Sequence, residues 1–180
     1  MLTAARLDAP WALRCLHDDL APAVTGYLRL RGAAEPDDVA SETFLQVFTR
    51  LDSFEGDERA FRSWVFTIAH RRLIDERRRR SRRPSATPIS EEPEPVGGDA
   101  EEEAIQDLGS PWVGEVLRGL SPDQRDVIVL RILADLSVEE VASIVGKRTG
   151  AVRALQHRAL AAIRRDLETR RDTLLPVRER

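Results

Sequence analysis

Apolar positions in this chain recur every three or four residues, the repeat of one face of an α-helix. Leu13, Leu16, Leu20, Val24 and Leu28 predict a helix over residues 11–30, with Pro22 marking a break or a second start. A turn, RGAAEP, follows at 31–36. Asp37 or Asp38 then opens an amphipathic helix whose buried stripe is Val39, Thr43, Phe44, Val47, Phe48 and Leu51. Asp38, Ser41, Glu42, Leu45 and Gln46 fall outside that stripe, on a face that either meets solvent or docks a partner helix. A polar loop at 52–59, DSFEGDER, delivers the chain to a helix at 61–83 that carries Phe61, Trp64, Val65, Ile68 and Ala69 on one side.

The pattern stops at residue 84. Between 84 and 109 stand Pro84, Pro88, Pro93, Pro95 and the pair Gly97-Gly98, among seven acids from Glu91 to Glu103. Such a composition supplies no core and reads as a linker. The predicted architecture is therefore all-α: a helical domain at 1–83, the linker at 84–109, a second helical domain at 110–170 and a tail at 171–180. In the second domain Ser110-Pro111 and Ser121-Pro122 each place a capping hydroxyl before a proline at the first helical position. Ser121 with Gln124, and Ser137 with Glu140, have capping-box spacing. Helices are predicted over 111–119, 122–134 and 138–145. They bury Trp112, Val116 and Leu117, then Val127, Ile128 and Leu130, then Val138, Val141, Ala142, Ile144 and Val145. Gly146 ends the third, and a long helix runs from about 149 to 167.

Composition narrows the class. A hydrophobic content of 42% is enough for a core, and with 5% aromatics that core must be mostly Leu, Val, Ile and Ala. Cys15 is the single cysteine, so no internal disulfide can form and a reducing compartment is expected. No apolar run reaches the roughly 18 residues of a membrane span, and no signal-peptide pattern opens the chain, so a cytoplasmic location is expected. A net charge of −3 speaks against a polyanion partner until the charges are located. Residues 62–83 hold nine arginines against two acids, and 146–165 hold one lysine and five arginines with no acid. Residues 84–120 hold one arginine against nine acids. That sorting is more informative than the sum.

Both cationic blocks carry candidate chemistry. From Arg71 on, the 61–83 helix has eight arginines against Asp75 and Glu76. Alone, the run is as readily a solvated helix end stabilised by the macrodipole. Trp64 and Phe66 tilt the reading toward nucleic acid, because strand-binding proteins pair backbone-tracking cations with rings that stack on bases. The second block follows a short capped helix and a glycine turn, which is the helix-turn-helix layout. There Val152, Leu155, Ala159 and Ile163 face inward, leaving Thr149, Arg153, Gln156, His157 and Arg158 for DNA. Helical hairpins without DNA share this spacing, but the absence of any acid favours groove docking.

Four segments in this order carry a resemblance: DDVASETFLQVF at 37–48, FRSWVFTIAHRRLIDERRRR at 61–80, LSPDQRDVIVLR at 120–131 and VGKRTGAVRALQHRAL at 145–160. Together they resemble a bacterial extracytoplasmic-function (ECF) sigma factor, the smallest class of the primary sigma family, over about 11–167. The resemblance implies that Asp38, Ser41, Glu42, Thr43, Leu45 and Gln46 contact core RNA polymerase. It implies that Phe54, Arg62, Trp64, Arg71, Arg72, Arg77, Arg78 and Arg79 hold melted minus-10 DNA, with the 52–59 loop cradling a flipped base. Lys147, Arg148, Thr149, Arg153, Gln156, His157 and Arg158 would read the minus-35 duplex. The acidic linker would thread toward the basic RNA path of the polymerase. Arg71 stands where the family often has asparagine, and Arg148 where it often has a capping serine. The implied partners are core polymerase, promoter DNA and an anti-sigma factor of the kind many relatives have. No cofactor, metal or small-molecule substrate is implied.

A helix-turn-helix regulator acting without polymerase accounts for 120–167, but it leaves the 37–48 helix and the arginine run unused. An enzyme is disfavoured. His17, His70 and His157 are far apart in sequence, Cys15 has no neighbouring base, and no glycine loop cradles a phosphate.

Overall fold

The computed structural model describes residues 1–82 and 111–174, except for the side chains at 82, 111, 112 and 171–174. The predicted linker, the Ser110 cap, the burial of Trp112 and the end of the tail lie outside the described residues. Within them, all regular structure is helical.

The first bundle consists of α1 (Leu2–Arg6), α2 (Pro10–Leu30), α3 (Pro36–Thr49), a 3₁₀ turn (Leu51–Ser53) and α4 (Glu58–Arg82). Helix α2 runs unbroken through Pro22. A proline inside a helix costs roughly 3 kcal/mol. Here Leu16, Leu20, Val24, Tyr27 and Leu28 are buried on both sides of it, so burial of one continuous face outweighs the lost hydrogen bond. The stripe predicted for α3 is the observed one, with Ala40 added and Phe48 half-buried. Helix α4 begins three residues before the predicted start, because the Asp57 carboxylate accepts the Ala60 N–H at 2.8 Å and caps the first turn. It buries Phe61, Val65, Phe66, Ile68, Ala69 and Leu73.

The second bundle consists of α5 (Pro111–Arg118), α6 (Pro122–Ile132), α7 (Val138–Val145) and α8 (Thr149–Leu174). Both capping boxes form: Ser121 pairs reciprocally with Gln124, and Ser137 with Glu140. Gly146 ends α7 in the left-handed conformation at φ 66°, which glycine adopts without a Cβ penalty. Helix α8 runs seven residues past the predicted end. Arg170 secures that extension, bonding Asp166 and reaching Glu115 of α5 at 2.6 Å each. Arg125 is buried and donates to the carbonyls of Leu117 and Leu120, satisfying orphan acceptors at the end of α5.

The two bundles meet. Arg31, just past α2, forms an ion pair with Asp126 of α6, and both side chains are at most 10% exposed. Leu133 packs 3.7 Å from where a Cβ on Gly26 would stand, and Arg59 at the start of α4 lies 3.6 Å from Glu140 of α7. Beside this pair, Tyr27 Oη lies 2.6 Å from His70 Nδ1. Burial, then the Asp126 charge, keeps the Tyr27 phenol neutral and pushes its pKa far up. Burial, reinforced by Arg31 and Arg77, lowers the His70 pKa from 6.5 to about 4. With both groups neutral, a single hydrogen bond joins the phenol oxygen and Nδ1.

This arrangement predicts a pH dependence. Between about 4 and 6.5 the unfolded chain binds a proton at His70 that the native protein refuses. The His70 contribution is thus complete above pH 6.5 and lost as the pH falls toward 4. Urea midpoints measured from pH 7.5 down to 5 should fall, and His70→Phe should flatten that part of the profile; an unchanged slope would refute the assignment.

Candidate nucleic-acid interface

Three surfaces gather the predicted site residues. On α3, Asp38, Ser41 and Glu42 are exposed, Leu45 is 70% exposed and Gln46 is half-buried, so one face of the helix is open. Thr43 is not on it. Its side chain is fully buried and its hydroxyl donates to the Val39 carbonyl at 2.7 Å, which corrects the expectation that it meets a partner. Thr43 occupies a stripe position, and the helical repeat that put it there forbids the outer face as well.

The second surface lies along α4 and the loop before it. Phe54 stacks on Trp64, with centroids 4.9 Å apart and planes 24° apart, and meets Phe61 edge-on at 5.5 Å. Both Phe54 and Trp64 are half-buried, so each presents ring area to solvent. Gly56 shapes this loop at φ 148°. A Cβ there would lie 2.9 Å from Ala60 Cβ and 3.0 Å from the Phe54 ring, so the backbone passes too close for any other residue. Phe66 differs from the expectation that it stacks on bases: it is fully buried, 6.0 Å from Tyr27 and edge-on to it.

The arginines divide. Arg71, Arg78 and Arg79 are exposed and form no ion pair among the described residues. Arg72 instead crosses to α3, donating to Gln46 at 2.9 Å and Glu42 at 3.1 Å, so it is a bracket for the α3 face. Arg62 is held by Asp19 at 2.8 Å. Arg77 turns half inward, where its charge acts on Tyr27 and His70.

The third surface is the start of α8. The Val152 N–H bonds the Arg148 carbonyl at 3.1 Å, which puts Arg148 at the cap position and Thr149 first in the helix. Val152 and Ala159 are fully buried and Leu155 nearly so, as predicted. Arg148, Arg153, His157 and Arg158 are exposed, while Thr149 and Gln156 are half-buried. Arg153 lies 3.0 Å from Glu139 and Lys147 2.9 Å from Asp123, both on the surface, where such pairs exchange readily for another anion.

Sequence comparison matches residues 16–83 to the Sigma-70 region 2 model and residues 116–165 to the Sigma-70 region 4 model. The ECF RNA polymerase sigma factor SigD of Mycobacterium tuberculosis is 35% identical over 164 residues, covering 87% of this chain and 77% of SigD. The chain belongs to the ECF RNA polymerase sigma factors. BldN of Streptomyces coelicolor, of the same class, is 32% identical over 153 residues, 83% of this chain but only 58% of BldN. In solved structures, CnrH in complex with the cytosolic domain of CnrY aligns with a TM-score of 0.62 at 26% identity, over 93% of this chain and 95% of CnrH. RpoE of Bartonella quintana, in complex with the anti-sigma factor NepR, gives the same score at 22% identity and shares the fold. The region 2 match leaves a free-standing helix-turn-helix regulator without support. The wider label of primary sigma family goes beyond these matches, which show the ECF class.

Among the described residues, no helix is long and apolar enough to cross a membrane, and no cluster of ligating side chains could hold a metal ion. Sequence reasoning missed Asp126 as a buried partner of Arg31 and missed Arg6 beside Phe54, since both depend on contacts between distant segments.

Proposed function

We propose that this sigma factor confers promoter specificity on core RNA polymerase, in the cytoplasm and without catalytic residues of its own. Residues 1–83 form the polymerase-binding and minus-10 domain, 84–109 the linker, and 110–170 the minus-35 domain, followed by the tail at 171–180. Asp38, Ser41, Glu42, Leu45 and Gln46 dock core polymerase, with Arg72 bracing them. Phe54, Trp64, Arg71, Arg78 and Arg79 hold the melted strand, stacking on bases and neutralising phosphates. Arg148, Thr149, Arg153, Gln156, His157 and Arg158 read the minus-35 duplex, with Lys147 on the backbone. The observation that carries this reading is the pairing, in one chain, of a stacked Phe54–Trp64 platform, followed along the same helix by exposed arginines without ion pairs among the described residues, with a separate cationic helix start. A single strand needs the first and a duplex groove the second. An anti-sigma factor, such as the NepR that RpoE of Bartonella quintana binds, would act by covering the same faces.

Run-off transcription on genomic fragments, with core polymerase plus and minus this protein, tests the reading. Discrete new transcripts are expected, and their upstream sequences define both promoter elements. Duplex binding that ignores core polymerase would overturn it. Arg153→Ala should weaken binding to the minus-35 duplex so defined by about 1–3 kcal/mol, the loss for one bidentate base contact. An equal loss on random duplex, measured by competition, would remove the base-reading role.

A further inference from the structure

We infer that Arg6, outside both family-model matches, is a DNA-contacting residue of the minus-10 site, holding the phosphate of the nucleotide that enters the 52–59 loop. This inference rests on the proposed role of that loop. Helix α1 is anchored by the buried Leu2 and Ala5 and packs against the 3₁₀ turn that opens the loop. It brings the Arg6 guanidinium to 5.7 Å from the centre of the Phe54 ring. One Nη donates to the Gly56 carbonyl at 3.5 Å, the outer limit of a hydrogen bond. That contact orients the group without consuming it.

Charge gives the reason for a cation there. The loop and the start of α4 carry Asp52, Glu55, Asp57 and Glu58, which would repel an entering strand. Arg62, one turn further along α4, is held by Asp19 at 2.8 Å. Arg6 has no ion pair among the described residues, and its buried Nε has no hydrogen-bond acceptor. A half-buried guanidinium with donors to spare is costly alone, and its planar fork matches phosphate oxygens. The Phe54 and Trp64 rings would take the base while Arg6 takes the backbone beside it, the usual division in single-strand sites.

The test uses full-length protein assembled with core polymerase and a fork-junction DNA, single-stranded across the minus-10 element of a promoter found by run-off. Arg6→Ala should weaken fork binding about tenfold and lower the slope of log affinity against log salt by about 0.7, the share of one phosphate on a single strand. Arg6→Lys should restore the slope. Binding of core polymerase and of the minus-35 duplex should not change. Fork affinity lost with an unchanged slope, or lost equally in Arg6→Lys, would reduce Arg6 to a brace for Phe54 and overturn the inference. A gain in affinity would make α1 a cover over the loop, overturning it too. If the unaltered protein yields no transcripts, the proposed role in initiation fails; if transcripts appear and the Arg6 variants behave as the unaltered protein, the inference fails alone.

Discussion

Phe66→Ala is expected to destabilise the first bundle by about 3–5 kcal/mol, the usual cost of emptying a fully buried phenylalanine site. Its ring is wholly out of solvent and packs edge-on against Tyr27, itself fully buried. The surrounding side chains come from α2 and α3, which both pack on α4. Urea unfolding followed by circular dichroism should show the loss directly, and a change below about 1 kcal/mol would mean the site relaxes or the ring is not packed. Trp64→Ala should behave in the opposite way. Trp64 is only half-buried, so stability should suffer less, while fork-DNA binding by the holoenzyme should fall by about 1–3 kcal/mol for each base that stacks on it. The two neighbouring aromatics thus separate folding from function.

That separation was not visible in the sequence. Positions 64 and 66 lie two residues apart on one helix, about 200° around its axis at 3.6 residues per turn. Periodicity alone does assign Trp64 to the apolar face with Phe61 and Ile68. The structure covers both sides of this part of α4, because α2 and α3 each pack on it, so Phe66 is buried on the side away from Trp64. Local features are legible in the sequence: the two capping boxes, the Gly146 stop and the α3 stripe each depend on residues within one or two turns. Contacts between distant segments are not. Arg72 looked like one cation in a run, and only the fold shows it reaching Glu42 and Gln46. Arg125 and Asp126 looked like the polar side of a helix. They are buried, one capping the preceding turn and the other opposite Arg31.

Asp126→Ala should open the contact between the bundles rather than unfold either one. Removing one member of a buried ion pair generally costs about 3–5 kcal/mol, because the other charge is left in a poorly solvated site. Here Arg31 has an escape, since it lies at an interface and separation returns it to water. A bias of 3 kcal/mol is more than a hundredfold in the closed-to-open ratio. Small-angle scattering should show the change: a compact chain of this length has a radius of gyration of about 16 Å, and separated bundles must exceed it. Arg31→Met combined with Asp126→Leu should remain closed, as apolar replacements of buried ion pairs often do. If Asp126→Ala scatters like the unaltered protein, the pair does not hold the interface. The consequence reaches the promoter. Elements named minus-35 and minus-10 are about 25 base pairs apart, roughly 85 Å of duplex at 3.4 Å per pair. If the two bundles bind those two elements as proposed, bundles joined through Arg31 and Asp126 cannot span that distance, and the closed form has to open on polymerase. Asp126→Ala should therefore bind core polymerase more tightly than the unaltered protein, by the fraction of closed form it no longer has to give up.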